Sequence, residues 1–341
     1  MQHVASARLN AARRLLLVAL AALPLGLGAQ RADSARSIAM PVRYDEHRIY
    51  VRPVTARGDT LAFILDSGFD DDFLSAVLVD RLHFPVESLV EANRKSLTTA
   101  RMPVLDPKAA IPDLSSWGEH GDRFTVVPLS GDGLLIARPS DAGVLGSPWL
   151  AERVWTFDYP GARLLLWKQG TPSQQSDVPR IRLGFRTDAN GRRTTQFARL
   201  TFVVDGDSLA AIFDTGATMN LTPAGRAALA AMGDSGSPRR AGSFIGRTIF
   251  ERWRQRHPDW PVIESAEDPT GFPMMQVPSI TVAGLKVGPV WFTERPESAF
   301  PEYMSRFTDR PVIAALGGSA LQFFRVTIDY PNAVAYFERP Q

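Results

Sequence analysis

Gly58-Asp59-Thr60-Leu61-Ala62-Phe63-Ile64-Leu65-Asp66-Ser67-Gly68 returns 148 residues later as Gly206-Asp207-Ser208-Leu209-Ala210-Ala211-Ile212-Phe213-Asp214-Thr215-Gly216, with seven of eleven positions identical. A second pair of segments follows in the same order. Leu145-Gly146, with Thr156-Phe157-Asp158-Tyr159-Pro160 beyond it, parallels Leu316-Gly317 with Thr327-Ile328-Asp329-Tyr330-Pro331 at an offset of 171, and Leu150 matches Leu321. One such match could arise by chance; two in register indicate a duplicated lobe, the second copy carrying 23 more residues between the two segments.

The local patterns are mostly those of strands. Gly58-Asp59 and Gly206-Asp207 are hairpin turn signals, each followed by an apolar strand that ends at the aspartate. Phe124 to Leu129 and Val277 to Val282 read as further strands. A short helix is expected after each Asp-[Ser/Thr]-Gly: Ser75 caps one running through Leu82, and Thr222 with Pro223 forms an N-cap and first-turn pair. Lys168 to Pro179 is polar and rich in Gly, Pro, Ser and Gln, as interlobe linkers are. The expectation is an all-β class, mainly β with short helices: a first lobe over 38–167, a linker over 168–179 and a second lobe over 180–341.

With 341 residues, 45% of them hydrophobic, the chain can bury a large core, and its length suits about two domains. Arg8, Arg13 and Arg14 precede an apolar run from Leu15 to Leu27, and Gly28-Ala29 supplies small residues for cleavage. This is the layout of a secretory signal peptide over residues 1–29, and the run is shorter than the roughly 20 residues a membrane helix needs. The expectation is an exported chain, periplasmic or secreted, with no membrane span after processing. Without that segment 35 basic residues face 36 acidic ones, and no Lys/Arg block suggests nucleic acid. There is no cysteine, which excludes disulfides, thiolate metal sites and cysteine nucleophiles. The five histidines are scattered and no His-Glu-x-x-His helix occurs, so surface or core roles are expected for them and not metal ligation.

Asp66 and Asp214 each end an apolar strand, where burying an unpaired carboxylate is costly, and Gly68 and Gly216 allow a sharp turn and close backbone approach. A single copy would read as an Asx turn. Asp234-Ser235-Gly236 shows how little one copy means, since it stands alone in a polar stretch after a helix. Gly233-Asp234-Ser235-Gly236-Ser237-Pro238 also resembles the nucleophile segment of trypsin-like serine peptidases, but His47, His83 and His120 lack the setting that chemistry requires.

The paired motifs resemble the pepsin and retropepsin superfamily of aspartic peptidases. Its signature is Asp-[Thr/Ser]-Gly on a loop, then an apolar-apolar-Gly strand crossing beneath it: here Phe63 to Gly68 with Val144-Leu145-Gly146, and Ala211 to Ala217 with Ala315-Leu316-Gly317. Two lobes in one chain resemble pepsin, whereas Ala217 after the second motif resembles retropepsins. The resemblance implies a bilobal acid-protease fold of two β-barrel-like lobes with a cleft between them. It further implies that Asp66 and Asp214 activate a water, with Ser67, Gly68, Thr215 and Gly216 supporting the pair. A polypeptide substrate, a monomer and cofactor-free chemistry follow from it. The alternative is a non-catalytic peptide-binding or scaffold protein that keeps the cleft.

Two features depart from the family pattern. Phe69-Asp70-Asp71-Asp72 follows the first motif where the family usually has a small residue, and the acidic run reads as a solvated turn. A cleft-covering hairpin is expected within 94–112, with a counterpart before Val277, but the first stretch lacks the tyrosine found in pepsin flaps.

Overall fold

The computed structural model describes residues 36–90, 96–118, 120–128, 141–168 and 177–340. The expected signal peptide, most of the expected linker (169–176), Leu129 and the start of the expected flap lie outside these residues.

The centre of the molecule is a six-stranded sheet with an approximate two-fold axis. Its order is Ser37–Ala39, Arg163–Trp167, Val154–Asp158, Arg325–Asp329, Val334–Glu338 and Arg180–Arg182, so each half contributes three strands. Val154–Asp158 and Arg325–Asp329 run antiparallel with Thr156 opposite Thr327, residues that the 171-residue offset makes equivalent. The side chains here are buried and apolar: Trp155, Phe157, Leu164, Val326, Ile328 and Phe337 are all inaccessible to solvent. At about 25 cal/mol per Å² of buried apolar surface, this seam helps to hold the halves together.

Each lobe then adds its own sheet, and the two repeat a single plan. In the first, Phe63–Leu65 lies parallel to Gly143–Leu145, which pairs antiparallel with Phe73–Ser75, itself parallel to Arg123–Val127. In the second, Asp207–Phe213 lies parallel to Ala314–Leu316, which pairs antiparallel with Phe244–Gly246, itself parallel to Val290–Arg295. The fold is mainly β and bilobal, as expected.

The extra length of the second copy has a definite address. Gly68 matches Gly216 at offset 148, yet Phe73 matches Phe244 at offset 171. The additional residues therefore lie between Gly216 and Phe244, where the first lobe has only Phe69 to Asp72. They form a two-stranded ribbon, Thr218–Asn220 with Arg239–Ala241, and the helix Pro223–Ala231. Thr222 caps that helix by accepting the Gly225 N–H at 2.9 Å. The two expected post-motif helices are thus not equivalent. Ala76–Leu82 corresponds to Arg247–Arg256, while Pro223–Ala231 belongs to the insertion.

Two local expectations need correction. Val277–Val282 is not one strand but the end of Met274–Val277 and the start of Ile280–Val282, parted by Pro278 and Ser279, since proline cannot donate to a ladder. In the first lobe the hairpin after the motif pairs Val86–Val90, which precedes the 94–112 window, with Ser96–Arg101, which falls inside it. Its counterpart pairs Val262–Ile263 with Met274–Val277, in the place expected before Val277. Asp234-Ser235-Gly236 is structural: Asp234 binds the Gly236 N–H at 2.9 Å and pairs with Arg240. It shapes the loop that receives the first-lobe turn at Glu46, whose side chain accepts the Ser237 N–H at 2.9 Å.

Candidate active site

Asp66 and Asp214 arrive at one point because two strands end there from opposite lobes. Each aspartate N–H bonds the carbonyl of the neighbouring parallel strand, Asp66 to Leu145 at 2.9 Å and Asp214 to Leu316 at 3.0 Å. The sharp turns that follow are closed by their own carboxylates, which accept the Gly68 N–H at 2.8 Å and the Gly216 N–H at 3.0 Å.

The lobes interlock through the residues between. Ser67 Oγ donates to the Phe213 carbonyl at 2.7 Å and accepts the Thr215 N–H at 3.0 Å. Thr215 Oγ1 does the reverse, donating to the Leu65 carbonyl at 2.9 Å and accepting the Ser67 N–H at 3.0 Å. All four bonds are buried and each hydroxyl is used as donor and acceptor, so rotation of either turn would leave buried groups unpaired. Gly68 and Gly216 complete the arrangement. A Cβ on Gly68 would lie 2.7 Å from Asp214 Cγ, and one on Gly216 would overlap the Asp66 carboxyl group. Each glycine is the floor beneath the opposite aspartate.

The two carboxyl groups lie close enough for each to perturb the ionisation of the other. Burial pushes Asp66 well above the ordinary carboxylate range and the Asp214 charge adds to the rise; the Gly68 N–H and the Arg48 guanidinium oppose it. Burial also raises Asp214, opposed by the neighbouring Asp66, the Ala217 and Gly216 N–H groups and Arg295. Asp66 is buried, whereas Asp214 retains some exposure to the cleft.

Arg48 and Arg295 were not expected at this site. Arg48 is almost wholly buried and donates through Nε to Thr218 Oγ1 at 3.0 Å; Thr218 in turn donates to the Gly216 carbonyl at 2.8 Å. Arg295 is held by two 2.7 Å bonds to Glu267 and stacks 3.7 Å above the Phe244 ring. One sequence signal existed for Arg48, a lone cation opening the otherwise apolar strand Arg48–Val51. Nothing in the local pattern around Arg295 marks its destination.

The acidic run departs from expectation. Only Asp70 is exposed; Asp71 and Asp72 are buried. Asp71 accepts the Thr125 hydroxyl at 2.8 Å, and Asp72 accepts the Gly146 N–H at 2.7 Å. Asp72 stands where Ser243 stands in the second lobe, for Ser243 Oγ accepts the Gly317 N–H at 3.1 Å. The run is buried because the turn beneath the strand end needs acceptors. Burial pushes Asp72 up to about 7. Phe69 packs edge-on against Phe73, ring centres 5.1 Å apart, and its carbonyl accepts the Ser147 N–H.

No group of metal-ligating side chains occurs among the described residues, and none of their helices is long and apolar enough to cross a membrane.

No protein-family model and no curated protein sequence matches the chain. Solved structures resemble it at low identity. An aspartic proteinase from Irpex lacteus is 10% identical, over 89% of this chain and 98% of that one, with a TM-score of 0.48. Conglutin gamma, a basic 7S globulin from lupine seeds, is 10% identical over 90% and 95%, with a TM-score of 0.45. The protein edgp is 8% identical over 89% and 94%, with a TM-score of 0.46. These likenesses concern overall shape and carry nothing about chemistry.

Proposed function

We propose that this chain is an aspartic-type endopeptidase of the pepsin and retropepsin kind, hydrolysing peptide bonds with a water held between Asp66 and Asp214. The observation that carries the reading is the reciprocal fit in which each turn glycine supports the carboxyl group of the opposite lobe. Two carboxyl groups so close cannot both ionise easily, so they share one proton and titrate as a pair. Asp66, the more deeply buried member, holds the shared proton, and Asp214, which keeps some exposure, is the ionised partner. Asp214 then takes a proton from the water as it attacks the scissile carbonyl. Asp66 hydrogen-bonds the developing oxyanion and helps protonate the leaving amine. Ser67, Thr215, Gly68 and Gly216 keep the pair rigid. The Ala217 position fits the retropepsin pattern, and the exported, monomeric state expected from the sequence fits an enzyme working on unfolded polypeptide outside the cytoplasm.

The test is cleavage of a denatured protein such as casein between pH 3 and 8, with and without pepstatin. Wild type should cleave, and Asp66→Asn and Asp214→Asn should each lose at least a thousandfold in kcat/KM while remaining folded. Wild type indistinguishable from Asp214→Asn at every pH would overturn the reading in favour of a peptide-binding protein.

A further inference from the structure

We infer that Gln196 is a substrate-positioning residue that reads an amide group of a peptide lying in the interlobe groove. This rests on the peptidase reading for its assumption that a peptide occupies that groove.

The groove has a volume of about 540 Å³ and is walled by both lobes, with Asp70, Trp117 and Pro148 on one side and Gln196 and Phe307 on the other. Its lining residues stand close to the dyad along the chain. Asp70 lies four residues beyond Asp66, and Pro148 two beyond Gly146 of the strand beneath it. Gln196 is two residues before Ala198, whose carbonyl accepts the Phe213 N–H at 2.9 Å immediately ahead of Asp214.

Gln196 is only 4% exposed, yet neither Oε1 nor Nε2 has a hydrogen-bond partner. A buried carboxamide with both ends unpaired is disfavoured, and folded proteins seldom keep one without a reason. Its neighbours do not explain it: Thr195 is engaged with the Phe307 carbonyl at 2.7 Å, and Phe197 packs on Phe307 with ring centres 5.8 Å apart. A carboxamide offers one acceptor and a donor pair, the complement of another amide, whose C=O and N–H it can meet together. The flat rings of Trp117 and Phe307 suit the stem of an extended peptide on either side. The amide can come from the peptide main chain or from an Asn or Gln side chain.

The experiment compares wild type with Gln196→Leu, which removes both polar ends at nearly constant size. Cleavage is profiled on a peptide pool from digested casein. Equilibrium binding of a fluorescein-labelled peptide from that pool is measured in the inert Asp66→Asn background. Gln196→Leu should raise KM and the equilibrium Kd by roughly tenfold and leave kcat within about twofold. Its Tm should be unchanged or higher by about 2 °C, since an unpaired buried amide has been removed. A structural role would lower Tm instead. Replacing one backbone amide at a time by an ester shows the main-chain source if one position abolishes the difference between wild type and Gln196→Leu. A difference confined to peptides with Asn or Gln at one position shows the side-chain source. Kd within twofold of wild type in Gln196→Leu, or no binding by either protein at 1 mM peptide, overturns the inference. Absent cleavage with Gln196-dependent binding would sink the peptidase reading alone.

Discussion

Thr156 and Thr327 meet at the centre of the six-stranded sheet with their hydroxyl oxygens 2.6 Å apart, buried and directly opposite in register. They are equivalent residues of the two copies, so the approximate two-fold axis passes between them. The same axis relates Ser67 to Thr215 and Asp66 to Asp214. The duplication therefore brings one acid from each copy to a shared centre, where a single copy would leave its carboxyl group unopposed.

The axis is not perfectly respected, because Trp167 Nε1 donates to Thr156 at 2.8 Å. Thr156→Val removes both the indole bond and the bond to the Thr327 hydroxyl; Thr327→Val removes only the bond between the hydroxyls and leaves Thr156 its indole partner. Urea denaturation should show losses of about 2–4 kcal/mol for the first and about 1 kcal/mol for the second. Equal losses would mean that the indole bond contributes nothing.

The interlocking hydroxyls make a sharper case. Ser67→Ala leaves the Thr215 N–H and the Phe213 carbonyl unpaired in a buried seam, and Thr215→Val does the same to the Ser67 N–H and the Leu65 carbonyl. Each should cost about 2–4 kcal/mol of stability. Activity should fall further than stability explains, because the two turns lose their fixed separation. Thermal melts run beside kcat/KM on the same preparations check this.

Gly216→Ala places a methyl group within the volume of the Asp66 carboxyl, while Gly68→Ala brings one to 2.7 Å from Asp214 Cγ. Neither glycine has a positive φ, so the obstacle is space and not backbone strain. Both variants should lose activity by at least a hundredfold, the Gly216 variant more. Near-wild-type activity in Gly216→Ala would show that the acids do not need their close approach.

Much of this was legible in the chain because duplication writes itself twice. The paired Asp-[Ser/Thr]-Gly segments, the apolar-Gly strands and the Thr-x-Asp-Tyr-Pro segments occupy equivalent places in the two halves. What stayed hidden depends on contacts between distant segments. The 23-residue difference gave no sign that it lay against Asp214, nor that Thr218 inside it would meet Arg48 from the other lobe. Three consecutive aspartates read as a solvated turn because charge favours water. The burial of Asp71 and Asp72 follows from the Thr125 hydroxyl and Gly146 N–H, which only the folded sheet brings near.

Asp72 should make stability depend on pH. Its folded pKa, about 7, lies above the value near 4 of an unfolded aspartate. The native state therefore binds this proton more tightly, and the associated stability is full below about pH 4 and lost as pH rises through 7. The stability lost over this range is at most about 4 kcal/mol. Asp72→Asn keeps an oxygen for the Gly146 N–H and removes the titration. Its Tm should fall less than that of wild type between pH 5 and 8, with the variant more stable at pH 8. Parallel Tm–pH curves would show that Asp72 ionises as freely when folded as when unfolded.

Arg295 acts on Asp214 through charge, without touching the cleavage chemistry. Its guanidinium helps hold the Asp214 carboxyl down against burial, and it is itself fixed by Glu267 and the Phe244 ring. Arg295→Gln removes the cation and leaves Glu267, a buried anion, without its partner. Both changes disfavour ionised Asp214, so the acid limb of the kcat/KM profile should move up by about half a unit or more. Stability should drop by about 3 kcal/mol, the usual consequence of breaking a buried pair on one side. Adding Glu267→Gln should restore most of the stability, because the stranded charge is gone, and should pull the acid limb part of the way back. If the limb stays fixed in the single variant while stability falls, the pair serves only to pin the second-lobe hairpin to the sheet, and the pH dependence of the dyad is set by burial and its own hydrogen bonds.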